Sequence, residues 1–143
     1  MTKQMSEFFE KAMDAADKGH RMDDLIEDQT NFSIQKFGPD DVRGPYGPLK
    51  HLAKEVVVEC LGIDKDRFND FLKAEWDKAQ EHKPVELYEL ADGLILLLDG
   101  LRRAGFDFWG VVDAAKAKMV ENWGRVWPEF DPKNANEAVE HIK

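Results

Sequence analysis

The sequence predicts an all-α protein, a bundle of four to five main helices. Three observations predict it. Apolar residues recur at helical spacing from end to end, and the alternation that a half-buried strand needs is scarce. The breaks carry helix punctuation: Gly62 and Gly105 where apolar stripes end, Asp64 and Asp107 where the next ones begin. The chain of 143 residues, 43% hydrophobic and 34% charged, has the composition of a globular protein and enough length for one core.

The N-terminal helices span 5–36. Residues 5–18 set Phe8, Phe9, Ala12, Met13 and Ala16 on one side, and 20–36 continue with Met22, Leu25 and Ile26. Residues 37–48, FGPDDVRGPYGP, hold three Gly and three Pro and read as a loop. Residues 49–61 form a helix whose stripe is Leu49, Leu52, Ala53, Val56, Val57 and Cys60. Cys60, the only cysteine, therefore reads as a buried small hydrophobe. After its Gly62 C-cap, Asp64 caps a helix expected to bury Phe68, Phe71, Leu72, Trp76 and Ala79. Pro84 can open the next helix, which runs to about Ala104 and is expected to bury Leu87, Leu90, Ala91, Leu94, Leu97, Leu98 and Leu101. Asp107 caps a last long helix to about Val126. The expected organisation is one domain over 1–130, with its core at about 37–130, and a polar tail over 131–143, irregular or frayed.

Charge and composition exclude several functions. A net charge of −9 leaves no basic stripe to displace counterions from nucleic acid. No apolar run approaches the roughly 20 residues of a membrane span, and the longest, after Gly93, is broken by Asp99. The start, MTKQMSEFFE, lacks a secretory core, and one cysteine allows no internal disulfide, so a reducing, cytoplasmic setting is expected. Residues 94–98, Leu-Ile-Leu-Leu-Leu, are apolar on more faces than one stripe needs. In a short chain a second subunit is the expected cover, giving a homodimer or homotetramer.

The chemistry sits in the carboxylates. Glu55 and Glu59 in KEVVVEC are one helical turn apart; Glu86, Glu89 and Asp92 in ELYELAD follow at intervals of three. Acidic faces brought together repel unless cations lie between them, and an oxygen-only donor set suits Mg²⁺ or Mn²⁺. With such ions an acidic protein can hold a polyphosphate that its own charge would repel. An oxygen-activating di-metal site would need Glu-x-x-His pairs, and none of the four histidines, at 20, 51, 82 and 141, stands three residues after a candidate Glu. The competing reading is a solvated acidic face. Asp99 has a structural reading, as a partner of Arg102 or Arg103. Lys118, Asn122 and Arg125 share one face of the last helix, with Lys116 the next cation.

ELADGLILLLDGLRRAG, followed by KMVENWGRVWPEF, closely resembles the phage and bacterial dATP/dGTP pyrophosphohydrolase branch of the MazG-like superfamily. FGPDDVRGPYGPLKHLAKEV resembles the stretch leading into that family's first acidic helix. The resemblance covers about 32–130, with an apparent insertion around 64–82. The family's Glu-x-x-Asp motif stands intact as Glu89 and Asp92. Its Glu-Glu-x-x-Glu motif is departed from: Glu55 and Glu59 match the first and last positions with Val56 between, or Glu55 is the middle Glu and Val58 the last position.

The resemblance implies a MazG-like helical domain and hydrolysis of a purine deoxynucleoside triphosphate to monophosphate and pyrophosphate. It implies Mg²⁺ or Mn²⁺ on Glu55, Glu59, Glu89 and Asp92, with Glu86 or Glu55 free to take a proton from water. Lys118 and Asn122 match positions that contact the nucleotide in the family, and Lys116 and Arg125 flank them. Gln35 and Phe37, with Phe32, are candidates for the base by resemblance; Trp123 and Trp127 are candidates by composition. The implied setting is the cytoplasm, that of the host if the chain is phage-encoded. Two alternatives stand beside this: a related hydrolase of diphosphates or modified purine nucleotides, and a non-catalytic helical assembly module.

Overall fold

Helix stops and starts fall where capping chemistry directs them. The computed structural model describes residues 2–143, and its α-helices are α1 (Lys3–Phe37), α2 (Tyr46–Lys54), α3 (Lys65–Lys78), α4 (Leu87–Arg103) and α5 (Phe108–Gly124). A π-helical stretch, Glu55–Cys60, continues α2, and Pro132–Asn134 forms a 3₁₀ turn. The fold class is all-α, with no strand among the described residues. Asp64 accepts from the Arg67 amide and Asp107 from the Gly110 amide, each closing an N-terminal turn. Gly62 and Gly105 take positive φ, 73° and 89°, just beyond the segments they end.

The chain forms two units, and their boundaries fall inside α1, inside α4 and just after α5. The first comprises the residues up to Ile34 with Gly93–Arg125. Here Phe32, Val112 and Met119 are buried. Trp123 meets Phe32 edge to face, with centroids 5.1 Å apart, and its Nε1 donates to Asp28 at 2.8 Å. The Arg21 guanidinium lies 3.3 Å from Asp113 and 5.4 Å from the centre of the Trp109 ring.

The second unit comprises Gln35–Asp92 with Val126–Lys143. It closes around the C-terminal tail. Arg43 donates from Nη1 to the Ala135 carbonyl (3.3 Å) and from Nη2 to the Glu137 carbonyl (3.0 Å). Burial pulls the Arg43 guanidinium below its ordinary pKa. The Ile142 amide donates to the Val126 carbonyl at 2.8 Å, an isolated antiparallel bridge. Gly47 lies under this strap: a Cβ there would meet the Arg43 guanidinium and stand 2.6 Å from the Glu137 carbonyl oxygen.

Several local expectations are corrected. The N-terminal helices are one helix of 35 residues, because Gly19 costs only about 1 kcal/mol and the i,i+4 pairs Asp14–Lys18 and Asp17–Arg21 span it. The helix after Pro84 begins at Leu87, so Pro84 precedes it rather than opening it. The tail is irregular apart from the 3₁₀ turn at Pro132–Asn134 and the bridge at Ile142. The expected apolar faces are not buried within the chain: Phe71 on α3 is 63% exposed, Leu87 on α4 is 78% exposed, and Cys60 is exposed. The face of α2 that is buried carries Gly47, Lys50 and Lys54, because the tail covers that side.

Candidate functional site

The candidate carboxylates, Glu55, Glu59, Glu86, Glu89 and Asp92, all lie in the second unit. Glu55 and Glu59 fall in the π-helical stretch, where the Leu61 amide bonds to the Val56 carbonyl five residues back. Such wide turns inside helices are frequent at functional sites. Both carboxylates are exposed, and Glu55 Oε1 lies 3.3 Å from His51 Nε2. Glu86 precedes α4 and pairs with Lys83 at 3.4 Å. Glu89 and Asp92 follow on the first two turns of α4, both exposed.

A cavity of about 380 Å³ brings Glu86 and Glu89 together, with Leu49, Lys83 and Leu90 in its wall. Glu55 and Glu59 do not line it. Among the described residues no three His, Cys, Asp or Glu side chains converge closely enough to form a ready-made metal cage. The donor chemistry nevertheless fits a hard cation, since every candidate ligand is a carboxylate. Asp99 stands apart from this set. It accepts from Arg102 Nη2 and Arg103 Nε, each at 2.8 Å, and these bonds, Arg103's first, hold its carboxyl below the usual range.

The basic candidates lie in the first unit. Lys118 is 65% exposed and reaches Glu121 at 3.4 Å. Arg125 donates to the Asn122 side-chain carbonyl at 2.9 Å and lies 3.6 Å from Glu121. Lys116 stands 3.9 Å from Asp24. Lys118 and Arg125 thus both reach Glu121, and Arg125, just past the end of α5, also holds Asn122.

The aromatic candidates have packing partners. Phe32 and Trp123 pack against each other, as described. Phe37 meets Trp127 edge to face at 5.3 Å and carries the Arg43 guanidinium 5.3 Å from its ring centre. Gln35 lies two residues before Phe37 on α1 and is exposed.

Three residues escaped the reading of the sequence: Arg43, Lys50 and Lys54, all buried cations. Lys50 and Lys54 pair with Glu137 and Glu140 of the tail. The available signal was the matched spacing, two lysines four apart and two glutamates three apart.

No curated protein and no solved structure matches the chain. A family model, dATP/dGTP pyrophosphohydrolase, matches residues 69–143. That stretch takes in Glu86, Glu89, Asp92, Lys116, Lys118, Asn122 and Arg125, and also most of α3, part of the supposed insertion, and the whole tail. Glu55 and Glu59 lie upstream of it. With just over half of its length matched, the chain belongs to the dATP/dGTP pyrophosphohydrolase family and is a nucleoside triphosphate pyrophosphohydrolase.

Proposed function

We propose that the chain hydrolyses dATP and dGTP between the α and β phosphates, in a metal-dependent reaction that releases the monophosphate and pyrophosphate. The observation that carries this reading is the family match over 69–143, which contains the Glu89-x-x-Asp92 pair. Glu89, Asp92, Glu55 and Glu59 would hold Mg²⁺ or Mn²⁺, and their exposure leaves them open to a hydrated ion and a phosphate chain. The ion, when bound, supplies charge neutralisation and a more acidic water.

Water adds to the α-phosphorus, the bond from that phosphorus to the α–β bridging oxygen breaks, and pyrophosphate leaves. Glu86 or Glu55 takes the proton; Glu86 pairs with Lys83 and Glu55 with His51, and both carboxylates are exposed. Lys118, with Asn122, Arg125 and Lys116, would hold phosphate and sugar. Gln35 and Phe37 are proposed for the base, the amide because it can present a donor or an acceptor to adenine or guanine. The active form is proposed to be a homodimer or homotetramer.

Incubation with each of the four deoxynucleoside triphosphates, with Mg²⁺ or Mn²⁺, tests the reading. Pyrophosphate release that is faster in kcat/KM for dATP and dGTP than for dCTP and dTTP supports it. Orthophosphate release points to the related hydrolase, and preference for a pyrimidine removes the purine assignment.

A further inference from the structure

A cluster of lysines gathers within the second unit of this acidic chain. Four lysines, Lys50, Lys54, Lys65 and Lys73, line a cleft of about 580 Å³ between α2 and α3, within the second unit. That volume falls in the range of small-molecule sites. Lys50 and Lys54 are only 8% and 7% exposed, so their ammonium groups are held rather than waving in solvent. Trp76 forms part of the wall. The Lys50 ammonium lies 3.8 Å from the Trp76 ring centre, and His82 stacks on the same indole with centroids 3.4 Å apart.

The cleft's partners come from the tail. Glu137 pairs with Lys50 at 3.1 Å; Glu140 pairs with Lys54 and, at 3.3 Å, with Lys65. Lys73 pairs with Asp77 at 2.8 Å. One carboxylate, that of Glu140, therefore serves two ammonium groups. A phosphate group, with up to two charges and three acceptor oxygens, satisfies two ammonium groups better than one carboxylate does.

We infer that the lysine cleft between α2 and α3 is a binding site for an oligophosphate anion, and that Glu137 and Glu140 are built-in competitors which occupy it until that anion displaces them. The buried lysines and the stacked Trp76–His82 wall form the fixed part of the site. The tail is the exchangeable part, joined to the lysines by side-chain carboxylates while Arg43 holds its backbone. The choice of oligophosphate rests on the proposed hydrolase chemistry, in which pyrophosphate is the product; binding in a chelator needs neither metal nor turnover, so either idea can fail without the other.

Calorimetric titration of the full chain with inorganic pyrophosphate in EDTA tests the site. The wild type should bind. Glu137→Gln with Glu140→Gln should bind about tenfold more tightly, because the competitors have lost their charge. Lys65→Gln with Lys73→Gln, both on the exposed wall, should bind at least about tenfold more weakly. Far-UV circular dichroism of each variant shows that it folds, and the lysine pair keeps the test open should the glutamate pair not fold. Equal affinity across the variants, or no binding by any folded form, overturns the inference.

Discussion

Asp99 and Lys54 mark the two kinds of residue in this chain. The partners of Asp99 stand three and four residues away on its own helix, so they can be read from the sequence. The partner of Lys54 stands 86 positions on, at Glu140, and no helical periodicity points to it. Asp99 carries a pH prediction. Its carboxyl is depressed in the folded state from an ordinary value of 3.8, so between the two pKa values the unfolded chain binds the extra proton. The stabilisation is full above the ordinary value and is lost as pH falls through the lower folded one. A carbon-13 titration should place Asp99 below 3.8, and Arg103→Gln should move it back up; an unmoved midpoint would separate the two groups. The carboxylates proposed for the metal make a different prediction. Glu89→Gln or Asp92→Asn should weaken Mn²⁺ binding by at least about tenfold, a loss that even an outer-shell change can bring. Lys118→Ala should leave that binding intact while slowing turnover, since an ammonium group cannot ligate a cation. Equal Mn²⁺ affinity in all three variants would remove Glu89 and Asp92 from the ligand set.

Helix ends are local chemistry, and the capping aspartates were placed from sequence for that reason. Asp64→Ala and Asp107→Ala should each cost about 1 kcal/mol, read from urea unfolding, by leaving amide donors at the helix start without their acceptor. A loss near zero in either variant would mean that water replaces the cap. Glycine alone was a weaker guide. Gly62 and Gly105 end helical segments because both adopt the left-handed conformation. Gly19 sits inside α1, where helical hydrogen bonds and ion pairs continue on both sides. The candidate site was legible to the same limited depth. The spacing of Glu55 and Glu59, and of Glu86, Glu89 and Asp92, placed each set on one segment, but which segments face each other depends on contacts distant in sequence. The same limit misassigned α2: its apolar stripe suggested the buried face, whereas the face actually covered carries Gly47, Lys50 and Lys54, chosen by a tail some 90 residues away.

Across the chain as a whole, helical periodicity was enough to give the fold class, while the location of the core was not legible. Among the large apolar side chains of the described residues, only Phe32, Val112 and Met119 are buried. On α4, Leu94, Ile95, Leu96, Leu97 and Leu98 are all exposed, Leu98 least at 38%. The amphipathic pattern is therefore present without a cover inside one chain. Fully burying a Leu or Ile side chain is worth about 1.5–3 kcal/mol, so five in succession provide a strong drive toward association, even after the entropy of docking is charged against it. A contiguous apolar helix of this kind marks an interaction surface, and a second copy presents the same surface, as a two-fold interface requires. Light scattering at micromolar concentration should report a homodimer or homotetramer of the 16.4 kDa chain. Ile95→Glu with Leu96→Glu places two carboxylates on that surface and should shift the protein to monomer, while the helix signal in circular dichroism persists because glutamate is a good helix former. If the drive lies elsewhere, the double variant will keep the wild-type mass. A wild-type chain that is itself a monomer would mean that its exposed leucines remain in water, and the assembly proposal would fail.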